Sequence, residues 1–357
     1  MYRGLRNVET SHTVPRCYKK LTNFLRRGIM KHSILFACLC WVVSVFVTTS
    51  VDAGKLKKVK ITAARNSILM LYSHGPKDAG IFKKHGIDLE IDNRPFKGHM
   101  AGLPAGEVPC TTYAGTAAIA RINKGLEWVI VGGGLTVMQE VFVLKSSPFK
   151  TITDLKGKKF ASWSTGAGAF KAMRATVIDG YGFDVLKDTE FVQAAPPALL
   201  KMLDRGQIDS MFNISSLTIA AAAQPEKYRS VYAPNDYWKK KTGQAILWSA
   251  PLVCWKKWVD ADRARATAFV KAFTEGYKWL RKPENLKKAV KKYGKLAAVK
   301  NEAQAKTYES WLKQGKMLIT DWNEETRDKQ WQFLHMAKKH GILKKIPPKE
   351  KYGLILK

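Results

Sequence analysis

The chain repeats itself at an offset of one hundred residues. Leu103-Pro-Ala-Gly106-Glu-Val108 is echoed by Leu203-Asp-Arg-Gly206-Gln-Ile208, and Thr112-Tyr113-Ala-Gly115-Thr116 by Phe212-Asn213-Ile-Ser215-Ser216. Lys58 to Ser67 has its counterpart in Lys158 to Gly166 at the same offset. Chance produces one such match; a shared offset points to two similar α/β units that must each build a core and then pack together.

Within each copy, strand-like runs alternate with helical ones. Lys58 to Ala64 alternates as a strand, and Arg65-Asn66-Ser67 is a turn with N-cap chemistry. The helix after it is crossed by Gly75-Pro76, a pair that breaks or kinks it, and stops at Gly86. Ile87 to Ile91, Glu107 to Thr112 and Trp128 to Val131 follow as strands. In the second copy a strand from Phe160 to Trp163 runs into a small-residue turn, Ser164 to Gly168, and then a helix opening at Ala169. This alternation predicts a parallel sheet covered by helices on both faces. After the strand-like run Trp248 to Trp255 the chain is helical. Phe269, Ala272, Phe273, Tyr277 and Leu280 show amphipathic spacing, so this tail should pack back on the first unit. The chain then crosses between units twice, near Ser146–Thr153 and near Gly243–Pro251. The expected division is 54–147 with 250–357 as one lobe and 148–249 as the other.

Residues 1–53 stand outside that fold. From Met30 they read Met-Lys-His, an apolar run from Ile34 to Val47, and Val51-Asp-Ala53 before Gly54. That is the layout of a secretory signal peptide cleaved after Ala53, which places the mature protein in the periplasm. Residues 1–29 ahead of it are basic and polar, and either Met1 or Met30 serves as the start. The mature chain keeps Cys110 and Cys254 in apolar strand-like runs. An exported protein permits one disulfide; two buried free thiols are the plainer reading.

The net charge is +32, and residues 249–357 hold 26 basic against 11 acidic groups. Such a field attracts anions and anionic surfaces in general. The sequence carries no nucleic-acid-binding motif, so a solvated basic face is the simpler account and no specific nucleic acid is expected. His74, His85 and His99 are too far apart to form a metal site. Gly166-Ala-Gly168 is not a dinucleotide loop, because Lys171 stands where the third glycine belongs. No Gly-x-Ser-x-Gly elbow or His-Glu-x-x-His run is present, which argues against catalysis and leaves no cofactor implied.

Three stretches carry a family resemblance. Asp154-Leu-Lys-Gly-Lys-Lys159 opens the second unit. The two Leu-x-x-Gly stretches at 103 and 203 follow one pattern, the second ending in Asp209. Ala79-Gly-Ile-Phe-Lys-Lys-His-Gly86-Ile87 leads into the second strand. With these the chain resembles periplasmic substrate-binding proteins of ABC importers, in the nitrate/sulfonate/taurine-binding group related to thiamine-pyrimidine synthases. The first copy departs from the pattern, with Glu107-Val108-Pro109 where the family has Asp. The clustered cysteines of the pyrimidine synthases are missing as well.

The resemblance implies a type II periplasmic-binding-protein fold: two lobes, two similar mixed sheets with helices on both faces, and a double hinge crossing. It implies a monomer that captures a small anionic organic molecule and delivers it to a permease and ATPase in the inner membrane. The ligand would be sulfonate- or taurine-like, nitrate-like, or an aromatic or carboxylic acid. The alternatives are a cofactor-free or pyrimidine-synthesis-like enzyme on the same fold, or a basic sensory or interaction protein. In such a fold the ligand lies between the lobes at the carboxyl ends of the strands. The candidate contacts are Asn66, Ser67, Tyr113, Gly115 and Thr116 from the first lobe. Trp163, Ser164, Thr165, Gly166, Asn213 and Ser215 come from the second. Helix N-termini with Ser, Thr and Gly suit an oxyanion.

Overall fold

The computed structural model describes residues 56–357. The signal-peptide reading and Cys17, Cys38 and Cys40 lie outside the described residues. Strands β1 (Lys57–Ala64) and β2 (Ile87–Arg94) pair in parallel, with Ala64 opposite Arg94 at their carboxyl ends. Helices α1 (Leu69–Asp78) and α2 (Ile81–Lys84) connect them. Pro76 lies inside the last turn of α1, so the helix neither breaks nor restarts there; it ends two residues later. Then come α3 (Phe96–Gly102), β3 (Cys110–Thr112), α4 (Gly115–Asn123) and β4 (Trp128–Leu135).

The second copy follows the same plan. It comprises β5 (Val141–Leu144), β6 (Lys159–Ser162), α5 (Gly168–Tyr181), β7 (Glu190–Gln193), α6 (Pro196–Asp204), β8 (Ser210–Phe212), α7 (Ser215–Ala222), β9 (Tyr228–Tyr232) and α8 (Pro234–Thr242). The hundred-residue offset is kept by α3 and α6, by β3 and β8, and by α4 and α7. The repeated Leu-x-x-Gly stretch is a helix stop. Gly106 and Gly206 sit at φ 75° and 66° and donate to the carbonyls of Leu103 and Leu203 at 3.1 and 3.0 Å. The next N–H groups, of Glu107 and Gln207, reach Gly102 and Met202 at 3.0 Å each. A left-handed glycine lets the chain turn back on the last carbonyls of the helix without the steric cost of a Cβ.

Neither of the two larger sheets is all-parallel. One holds β7-β6-β8-β5-β9, with β6 parallel to β7 and β8 and β5 antiparallel to β8 and β9. Another holds β11 (Leu318–Ile319), β4, β10 (Ala250–Trp255) and β3, with antiparallel pairing throughout. The antiparallel strands arise because β5 and β10 come over from the other sheet and not by a helical crossover within their own, β5 through a five-residue passage and β10 after α8. β1 lies beside β3 without a ladder: Thr111 Oγ1 donates to the Thr62 carbonyl at 2.8 Å, so a side chain takes the acceptor that a strand neighbour would use. β5 belongs to the five-stranded sheet, so the chain passes between sheets across residues 136–140 and returns at Ala250.

The remaining helices are α9 (Lys256–Ala261), α10 (Arg263–Leu280), α11 (Pro283–Tyr293), α12 (Glu302–Lys313), α13 (Glu324–Lys339) and α14 (Lys349–Tyr352). Asp262, Asn301 and Asn323 cap α10, α12 and α13, each accepting an N–H three residues on. The amphipathic face of α10 covers the first copy. Phe273 meets Phe82 edge-on at 5.1 Å and Tyr277 meets Tyr72 at 5.8 Å, while a Cβ on Gly276 would come within 2.8 Å of Pro76. The tail does not pack on the first copy alone. Phe333 of α13 is edge-on to Trp238 and Trp248 at 5.0 and 4.6 Å, and His340 reaches Asp179 of α5 at 3.0 Å.

Cys110 and Cys254 face each other across β3 and β10 and form a disulfide. The free-thiol reading is corrected here. The antiparallel register brings their Cα atoms to 4.1 Å, a closeness that no sequence pattern reveals at a separation of 144 residues.

Candidate functional site

The strand ends of both copies run into helices whose first turns meet. α4 opens at Gly115, whose N–H donates to the Trp248 carbonyl at 3.0 Å; a Cβ there would stand 3.0 Å from that oxygen. Thr116 is next, and a Cβ on Gly168, the first residue of α5, would lie 2.6 Å from Thr116 Oγ1. Glycine at 168 therefore allows the first turns of α4 and α5 to touch. α7 opens at Ser215, whose Oγ accepts from Gln139 Nε2 at 2.9 Å. The first turns of α4 and α5 thus meet, that of α7 lies against the passage at residues 136–140, and each first turn leaves N–H groups without intrahelical partners.

The other candidates divide by what their side chains already do. Asn66 is exposed at φ 58°, and its N–H donates to the Leu296 carbonyl at 2.8 Å. Ser67 Oγ accepts from the Leu69 N–H at 3.3 Å at the entry to α1. Ser164 Oγ accepts from the Gly166 N–H at 3.2 Å, shaping an exposed turn with Thr165 and Gly166. Trp163 is half-buried and stacks on Phe212 at 5.7 Å. Asn213 is buried with both ends of its amide in use: Nδ2 donates to the Pro196 carbonyl and Oδ1 accepts from the Ile214 N–H. Tyr113 is fully buried, edge-on to Trp128 at 5.1 Å, with the Arg121 guanidinium over its ring. Burial pushes its hydroxyl pKa up, and Arg121 only partly opposes this. Asn213 and Tyr113 thus serve packing and strand anchorage in this structure.

Ile68, Leu69 and Tyr72 at the start of α1, Met138 in the passage and Ile219 on α7 went unnoticed in the sequence; they belong to one apolar cluster with Tyr308, Trp311 and Leu312 of α12, whose amphipathic spacing the sequence shows. Beside it, Glu140 is buried and pairs with Lys316 at 3.2 Å, with Asp236 at 3.6 Å from the same ammonium. Burial alone would lower the Lys316 pKa, but the Glu140 and Asp236 carboxylates outweigh it and hold it above the usual lysine range. The Lys316 and Met317 carbonyls accept from Thr136, and Asn235 Nδ2 donates to the Lys316 carbonyl at 3.0 Å. The loop between α12 and α13 therefore ties the passage at residues 136–140 to α8. The signal available in the sequence was the polar pair Gln139-Glu140 inside the apolar run from Leu135 to Val143.

A family model described as NMT1/THI5 like matches residues 76–285, more than half of the chain, and the chain belongs to this family. Among solved structures it is similar to the periplasmic aliphatic sulphonate binding protein SsuA from Escherichia coli. That likeness has 15% identity over 84% of this chain and 93% of that one, with a TM-score of 0.66. The alkanesulfonate-binding protein SsuA from Xanthomonas axonopodis pv. citri, bound to MOPS, matches at 12% identity, 82% and 95% coverage, and a TM-score of 0.58. A mutant of the desulfurization enzyme DszB in complex with biphenyl-2-sulfinic acid matches at 11%, 84% and 97%, with a TM-score of 0.60. At such identities these likenesses establish the fold, that of periplasmic binding proteins. A comparison with curated protein sequences finds no match.

Proposed function

We propose that this protein is the solute-binding component of an ABC-type importer, closing two lobes around a small organic anion. The observation that carries the reading is the contact of Thr116 with Gly168, where helix N-termini from the two copies meet. A site assembled from two lobes forms fully on closure, so the solute shifts the population toward the closed state. The lobes correspond to the two sheet systems, and the passages at 136–140 and ahead of Ala250 serve as the hinge. The fold shared with sulfonate-binding proteins supports a sulfonate, sulfinate or carboxylate as the anion. In this reading the mature chain works in the periplasm as a monomer and hands its solute to a membrane permease and its ATPase. The basic surface raises the local concentration of anions.

Thermal-shift measurements against sulfonates, sulfinates, carboxylates and nitrate test this, because a ligand that binds the folded state raises Tm. At least one compound should give a clear rise without being consumed; silence across the panel rejects the proposal. Gly168→Val should then weaken that ligand about 5- to 150-fold, since overpacking costs about 1–3 kcal/mol and here it acts on closure.

A further inference from the structure

Gln139 is 5% exposed and lies in the passage between the sheets. Its Nε2 is committed to Ser215, while its Oε1 is buried with no hydrogen-bond partner. An unpaired buried carbonyl is costly. The polar groups next in sequence to Gln139 and Ser215 are already committed, Glu140 to Lys316 and Asn213 to Pro196 and Ile214. Its chain neighbour Met138 is buried in the same apolar cluster as Ile68, Leu69 and Ile219.

We propose that Gln139 is the head-group reader of the solute site, a specificity-determining residue. The inference rests on the solute-binding reading above and names its substrate class. The two ends of an amide exchange by rotation about its last torsion. When the Ser215 hydroxyl donates to Oε1, both N–H groups of Nε2 turn toward the ligand. They then donate to the oxygens of a sulfonate, sulfinate or carboxylate, beside the free N–H groups in the first turn of α7. The buried carboxylate at 140 is neutralised by Lys316, so it does not repel the anion. Because the head group meets neutral donors, the organic part must supply much of the affinity. The solute is therefore a monoanion with an apolar body, and a small inorganic anion such as nitrate binds poorly.

Titration calorimetry of the full mature chain with 1-hexanesulfonate and with nitrate tests this. Wild type should bind hexanesulfonate about 100-fold or more tightly than nitrate, since each buried methylene contributes to affinity. Gln139→Leu should weaken hexanesulfonate about 10- to 100-fold, the loss of a hydrogen bond to a charged group. Gln139→Glu, which sets a carboxylate against the anion, should weaken it further. Ser215→Ala should give a smaller loss, because it removes only the partner that orients the amide. The ligand-free Tm of each variant separates a folding defect from a binding one. Unchanged affinity in folded Gln139→Leu and Gln139→Glu overturns the role of Gln139 while leaving solute binding intact. Tighter binding in Gln139→Glu overturns the oxyanion assignment, and parity of nitrate with hexanesulfonate overturns the apolar body. Failure of wild type to bind any sulfonate, sulfinate or carboxylate rejects the functional reading itself.

Discussion

The segments Cys110–Thr116 and Ser210–Ser216 are two versions of one strand-to-helix turn, a hundred residues apart, and they are held in place by different chemistry. In the second, Asp209 locks its strand to β6: its carboxylate accepts the Lys159 N–H at 2.8 Å and its own N–H donates to the Lys159 carbonyl at 3.0 Å. In the first, Pro109 has no N–H to give, and its carbonyl accepts from Trp255 at 3.0 Å instead. The strand beside it is β10, fastened by the disulfide from Cys110; the equivalent residue Ser210 is buried with an unpartnered hydroxyl. One backbone form thus rests on a covalent bridge in one copy and on a carboxylate and an amide in the other. The departure from the family pattern at Pro109 reflects a change of strand neighbour, and the family carboxylate acts here as a structural strap.

The largest break in this comparison should come from the bridge. Replacing Cys110 and Cys254 together with Ala should cost about 2–5 kcal/mol in urea unfolding, because the bridge closes a long loop. Ser210→Ala should change little, as it removes an unpartnered hydroxyl. Equal stability with and without the bridge would mean that the first copy is held some other way. Next in size is the pair at 113 and 213. Asn213→Ala strands the Pro196 carbonyl and the Ile214 N–H and should cost about 1–3 kcal/mol. Tyr113→Phe removes a buried hydroxyl that bonds to nothing and should be neutral within about 0.5 kcal/mol or slightly stabilising. A large loss at Tyr113 would sharpen the comparison the other way, by showing a partner for that hydroxyl. Smallest, and equal in both copies, should be Gly106→Ala and Gly206→Ala. A Cβ meets nothing within 4 Å at either position, so the cost of about 1 kcal/mol is that of the left-handed backbone alone. A difference between the two in thermal melts would show that the helix stops are not equivalent.

What the sequence carried well was local. The glycine stops, the capped helices and the strand-to-helix turns recur at one offset because each is written in a few adjacent residues. That was enough for the α/β alternation, the duplicated plan and the helix N-termini around Gly115, Gly168 and Ser215. It was not enough for strand direction, since the alternation looks the same whether a strand arrives by a helical crossover or by a five-residue passage. Tyr113 and Asn213 stand beside those N-termini in sequence, yet their side chains turn to Trp128 and to Pro196.

Read alone, the amino-acid sequence determined where strands stop, where helices begin, and that two similar units follow one another. Only the tertiary structure decided that Cys110 meets Cys254, that the sheets exchange β5 and β10, and that Gln139 lies beside Ser215 with half its amide unpaired. The physical reason is range. Caps and left-handed glycines act within one turn of chain, whereas a disulfide, a strand neighbour or a buried amide partner depends on which distant segment the packed core brings alongside.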